Sequence, residues 1–276
     1  MSAVSFPHLE HTGRVTQVRV ARSEWTKIRS VRSTLWTLGV AVLLTIGVPS
    51  LVALVTKSHW NNMSPGDRAD RFHNRLALAT AGVNISVLAI AVLAVLTISA
   101  EYSTGMIRAS FTAVPKRLPV LWAKLGVFSL VTFGLMLPSV FIAFWANQAI
   151  LHSHNPPILQ ASLSDSSVFR TVIGSAIYLT LVGVFAMALG AIIRNTAGGI
   201  SAFVAIFFVI PPLLNILPTS WNNAISPWIP DSASRAIFQL THGPHELSPA
   251  GGAAVFVGYC LFFVAVAAVL LRRRDT

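Results

Sequence analysis

Apolar residues fall along this chain in long unbroken runs rather than in alternation with polar ones. A helix needs roughly 20 such residues to cross about 30 Å of hydrocarbon. Six runs qualify: Leu35 to Thr56, Leu76 to Ala100, Leu118 to Trp145, Thr171 to Ile193, Ala197 to Leu217 and Ala253 to Leu271. Lipid cannot satisfy backbone N–H and C=O groups, so such runs must be helical, and the lack of period-two alternation argues against a barrel. The chain reads as an all-α membrane protein. Residues 1–34 form an N-terminal segment, 35–271 a six-helix transmembrane domain and 272–276 a short tail. Only Arg194, Asn195 and Thr196 separate the fourth run from the fifth, and the cost of an arginine at the bilayer centre predicts a tight hairpin there.

The segment before the first run has a different period. Val15, Val18, Ala21, Trp25, Ile28 and Val31 recur every three or four residues, with Arg14, Arg19, Arg22, Lys27, Arg29 and Arg32 over much of the remaining surface. That pattern predicts an amphipathic helix lying in the membrane interface, where it could anchor to anionic lipid or touch a cytoplasmic partner. Between the first two runs, Arg68, Arg71 and Arg75 recur at helical spacing beside Asp67 and Asp70, and Asp67 with Arg71 makes an i,i+4 pair on a solvated helix. Gly174, Gly183, Ala186 and Gly190 give span four a stripe of small residues suited to close packing, within the chain or between two copies. Pro138 in span three and Pro211 with Pro212 in span five are each able to kink or break a helix. Pro218, Trp221, Pro227, Trp228 and Pro230 sit among apolar residues beyond span five, which predicts a re-entrant-like external segment between spans five and six.

Composition agrees with the membrane class: 54% hydrophobic and 11% charged residues in a chain of 276. The net charge of +11 would raise nucleic-acid binding in a soluble protein, but here the basic residues lie beside apolar runs and report topology instead. Thirteen Lys and Arg fall on the side holding both termini and six on the other, with Lys124 just inside span three. The imbalance places both ends in the cytoplasm of an inner (plasma) membrane. No cleavable signal peptide is expected, because a polar segment precedes the first run and that run is too long. The single cysteine, Cys260, lies in an apolar run and offers neither a disulfide framework nor a thiolate metal site.

The chemistry is informative by what is missing. None of the six runs contains Asp, Glu or His, which disfavours a proton-coupled carrier and an intramembrane aspartyl or zinc protease. His152 with His154, and His242 with His245 and Glu246, lie in loops without a full ligand set, so no metal or other cofactor is expected. No GxxxxGK[ST] phosphate loop occurs, so ATP-driven work must come from a partner.

Directly after span two stands Glu101, Tyr102, Ser103, Thr104, Gly105, Met106, Ile107, Arg108 (EYSTGMIR), and before span one stands EWTKIRSVRSTLW, Glu24 to Trp36. With the six-span layout, these strings make the chain resemble the permease subunit of type-two ABC exporters, especially those of actinobacteria. The resemblance implies that the loop between spans two and three is a coupling helix resting on an ATP-binding ABC subunit, carried by Glu101, Tyr102, Gly105 and Arg108. It implies that the helix around Arg22, Glu24, Trp25 and Lys27 is an interfacial elbow. Physics supports such a lever in part: Glu101 at the membrane exit, Gly105 allowing close approach and Arg108 presenting charge. The expected partners are the ATP-binding subunit, a second permease copy or similar subunit, and membrane lipid, with no nucleic acid. The expected role is transport, not catalysis, of a hydrophobic or amphipathic substrate. Two alternatives stay open: a non-transporting scaffold or signalling component, and a secondary carrier whose ions bind backbone carbonyls near Pro138 or Pro211.

Overall fold

A single extended residue, Val31 (φ −83°, ψ 108°), separates the first helix, α1 (Gln17–Ser30), from the second, α2 (Arg32–His59). The computed structural model describes residues 16–73, 75–103, 117–154, 159–240, 243 and 245–273. After α2 come α3 (Pro65–His73), α4 (Arg75–Thr80), α5 (Val83–Ser103), α6 (Arg117–His152), α7 (Ser166–Ile193) and α8 (Thr196–Val204). They are followed by α9 (Ile210–Leu214), α10 (Thr219–Ile225), α11 (Pro230–Arg235) and α12 (Pro249–Arg273). Among the described residues there is no strand. Six helical stretches are long and apolar enough to cross a membrane: Arg32–Asn62, Leu76–Tyr102, Leu118–His152, Ser166–Ile193, Thr196–Leu214 and Pro249–Arg273.

The second span is not continuous. The chain turns at Ala81 and Gly82, between α4 and α5. Pro49 inside α2 has no N–H to give the Thr45 carbonyl, and Gly82 packs onto that gap. A Cβ on Gly82 would collide with Leu44 O and stand 2.8 Å from both Thr45 O and Pro49 Cδ. Nearby, the Thr45 and Ser86 hydroxyls lie 2.8 Å apart and both reach the Ala41 carbonyl, and Asn147 Nδ2 donates to Pro49 O at 3.2 Å. The break therefore joins spans one, two and three by polar contacts in the interior.

Span four, which carries the stripe of small residues, is α7, the most enclosed of the six spans. Its small residues serve packing inside the chain. A Cβ on Gly174 would meet Ile237 O at 2.7 Å, on Gly183 the Phe128 ring at 2.6 Å, and on Gly190 the Ile98 side chain at 2.9 Å, while Ala186 is fully buried. Phe185 of α7 centres an aromatic cluster with Phe207, Phe256 and Phe263, at ring separations of 5.7, 5.9 and 5.0 Å, geometry that suits edge-to-face and offset contact.

α7 ends on Arg194 in the left-handed region (φ 56°), where its N–H bonds Gly190 O, and Asn195 caps α8 by accepting from Gly198 N at 2.9 Å. This is the hairpin read from the sequence. Pro211 and Pro212 take effect one turn earlier than their positions: Ala205–Val209 winds as a π-helix, with Ile210 N bonded to Ala205 O, which absorbs the two amides the prolines lack. On α3, Asp67 accepts from Ser64 and Arg71 reaches Thr56, so the i,i+4 pair is not made; Arg68 instead lies over the Trp60 ring at 5.8 Å.

Replacing Gly82 with alanine will drive a methyl into backbone oxygen and lower stability by about 1–3 kcal/mol. Gly134→Ala, where nothing lies within 4 Å, will leave the thermal unfolding midpoint unchanged. Equal midpoints for the two variants in detergent would refute the Gly82 contact.

Candidate functional site: a buried ring of charge

α1 is capped at its start by Thr16, whose Oγ1 accepts from Arg19 N at 3.4 Å. Its buried face is Val20, Glu24 and Ile28. Val20 packs with Val120 and Ala123 of α6, and one turn further along each helix Glu24 meets Lys124. Glu101 reaches the same point from the last turn of α5. That placement opposes the helix dipole, which disfavours an acid at a C-terminus, so the carboxylate depends on cations brought by other helices.

The four side chains close a ring. Lys27 Nζ lies 2.7 Å from Glu24 Oε1 and 2.8 Å from Glu101 Oε1; Lys124 Nζ lies 3.0 Å from Glu101 Oε1 and 2.7 Å from Glu24 Oε2. Lys124 also donates to Thr97 O at 3.2 Å, so all three of its N–H groups have acceptors. The Glu24, Glu101 and Lys124 side chains are 4, 7 and 4% exposed, and Lys27 is 35% exposed. Signs alternate and sum to zero, the arrangement in which mutual attraction best offsets a desolvation cost of several kcal/mol per ion. Burial pulls the Lys27 ammonium toward neutrality, but its hydrogen bonds to Glu101 and Glu24 outweigh that and hold its pKa above the ordinary 10.5.

Beside the ring, Arg194 lies over the Tyr102 ring at 5.0 Å and donates to Leu270 O at 3.5 Å, while Ser99 and Thr196 hydroxyls meet at 2.8 Å. The ends of spans two, four and six and the start of span five are thus tied together next to the ring. The ring also floors a crevice of about 230 Å³ between α1, α2, α5 and α6.

Of the sequence-predicted residues, the structure brings Glu24, Lys27 and Glu101 into one cluster and sets Tyr102 beside it. Arg22 is exposed, and Trp25 is half-exposed on the face of α1 away from the ring. Gly105 and Arg108 lie outside the described residues. Lys124 is the member that sequence reading counted only as a charge near a span end. Its signal was present: a lysine about 9 Å along a helix from Leu118, inside an apolar run, needs a buried partner.

At the other end of the bundle, a cavity of about 300 Å³ is lined by residues that include Asn222, Ser226, Arg235, Gln239, His245 and Glu246. Arg235 Nε bonds Asp231 Oδ1 at 2.8 Å; burial raises the Asp231 pKa, with Arg235 offsetting part of the rise. Among the described residues no three His, Cys, Asp or Glu converge as metal ligands would. His242 lies outside the described residues. Compared with known proteins, the chain matches no protein-family model and no curated sequence.

Lys124→Met leaves two buried carboxylates to one half-exposed ammonium and will cost about 3–5 kcal/mol. Lys27→Met will cost less, because solvent already screens that site. Denaturant titration of the two variants orders them, and the reverse order would refute the ring as described. Since the folded pKa of Lys27 is raised, its contribution is complete below its unfolded value and is lost as pH rises through the folded one. Thermal midpoints of wild type and Lys27→Met will therefore differ by a constant amount from pH 7 to about 10 and converge above it.

Proposed function

We propose that this chain is the membrane-spanning permease subunit of an ABC exporter in the plasma (inner) membrane, with both termini cytoplasmic. It works as a homodimer or with a similar subunit, and ATP is hydrolysed on separate ATP-binding subunits. The observation that carries this reading is the charge ring, which joins α1 and α6 to the last turn of α5. That turn leads directly into the segment through Arg108 on which the exporter resemblance rests. A push on that segment by a docked subunit would move α1, span two and span three together, because separating them exposes unpaired buried charge.

In the same reading α1 is the interfacial elbow. Its exposed Val18 and Trp25 would face lipid, and Arg22 and Arg29 would face headgroups. α10 and α11 would form the re-entrant external segment. ATP-driven closure of the partner subunits would bias the bundle between inward and outward openings. The chain itself performs no catalysis, and its cargo is hydrophobic or amphipathic.

Replacing Glu101 and Arg108 together by alanine will abolish co-purification of the ATP-binding subunit and reduce ATP-dependent export of a fluorescent lipid analogue from vesicles at least tenfold. Undiminished assembly and transport would overturn the assignment. So would flux driven by an ion gradient without ATP, or no flux in the wild type.

A further inference from the structure

The crevice above the charge ring is built for an amphiphile with a negative head. Its floor is Glu24, Lys27, Glu101 and Lys124, and its walls include Ile28, Val31, Leu93 and Leu96 with the hydroxyl residues Ser33 and Thr34. The ring is neutral as a whole, but its exposure is not even: only Lys27 reaches solvent appreciably. The side presented to an incoming ligand is therefore cationic. Lys27 gives two N–H groups to Glu24 and Glu101, and its third has no acceptor among the described residues. The Ser33 and Thr34 hydroxyls hold no hydrogen bond among the described residues, and the start of α2 at Val31 has no side-chain cap. Arg29 and Arg32, next in the chain to the lining residues Ile28, Val31 and Ser33, are exposed, while Glu24, buried, is the only acid from residue 16 to residue 37.

The opposite wall belongs to a membrane span. Leu93 is buried at the inner end and Leu96 is exposed, on the outer surface of Leu76–Tyr102. A volume of about 230 Å³ falls just below the usual range for small-ligand pockets. It suits a headgroup with its first carbons, leaving the acyl chains to run outside along Leu96.

We infer that this crevice is a specific site for one anionic phospholipid, whose phosphodiester bonds Lys27, Ser33 and Thr34 and whose chains pack on Leu96. A zwitterionic choline headgroup would set its own cation against Lys27, so the site discriminates by charge. This goes beyond the general attraction of a basic helix to a membrane, and it requires only that the six helices cross one. It does not depend on the ABC assignment, since binding is measured without ATP or a partner.

The test is native mass spectrometry of the full chain released from nanodiscs of equal phosphatidylglycerol and phosphatidylcholine. Wild type will retain one phosphatidylglycerol per chain, at least tenfold over phosphatidylcholine. Thr34→Trp, which puts a bulky side chain into the crevice and leaves all four ring residues in place, will lower that retention at least tenfold. Leu51→Trp, an exposed position of α2 remote from the crevice, will leave it unchanged. Glycerol phosphate at millimolar concentration will not displace the lipid, because it lacks chains. Equal retention of the two lipids, unchanged retention in folded Thr34→Trp, or displacement by glycerol phosphate would each overturn the site. Should Thr34→Trp fail to fold, the wild-type preference and the glycerol phosphate arm decide alone.

Discussion

Three buried charges and a fourth that is partly exposed can persist only if each finds its opposite, and here no single helix supplies all four. α1 brings Glu24 and Lys27, α5 brings Glu101 and α6 brings Lys124. The lone pairing within a helix, Glu24 with Lys27, leaves Glu101 at the wrong end of its own helix dipole and Lys124 in an apolar run. Docking of the three helices at one point follows from that imbalance, since separation would leave buried ions uncompensated at a cost larger than most single packing contacts. The ring is thus a constraint on geometry more than a source of stability, and it fixes the angle at which α1 leaves the bundle at Val31.

Away from the ring, close approach of helices does the work. In lipid there is no hydrophobic drive between helices, so van der Waals contact between small residues and a few interhelical hydrogen bonds must suffice. α7 meets this with glycines set against Ile237, Phe128 and Ile98, and Phe185 closes the gap to spans five and six. Span five is the least enclosed and is broken by a π-helical stretch before Pro211 and Pro212. The two halves of the bundle therefore differ in character, one joined by buried polar contacts and the other by aromatic rings.

The ring also changes how the absence of acids in the sequence runs is understood. Span two, read to Ala100, stops one residue short of Glu101, while its helix continues to Ser103. The acid lies at the edge of the apolar run, and its partners come from residue 24 and residue 124. No local window contains them together. Ser86 and the Gly82 break are similar: each is unremarkable in its own run and acquires meaning only against Ala41, Thr45 and Pro49 of another helix.

The sequence by itself determined that six stretches are helical and long enough to span a membrane and that a tight turn divides spans four and five at Arg194, whereas Glu24 and Glu101 were singled out only by a family resemblance. Those features follow from local physics: hydrocarbon thickness, backbone satisfaction and the cost of a charge in lipid act on each segment alone. The tertiary structure alone decided that α7's small residues serve contacts inside the chain, that span two breaks at Gly82, and that Lys124 completes a ring with Glu24, Lys27 and Glu101. These depend on which helices become neighbours, and a pairing across roughly a hundred residues leaves no trace in the periodicity of either segment.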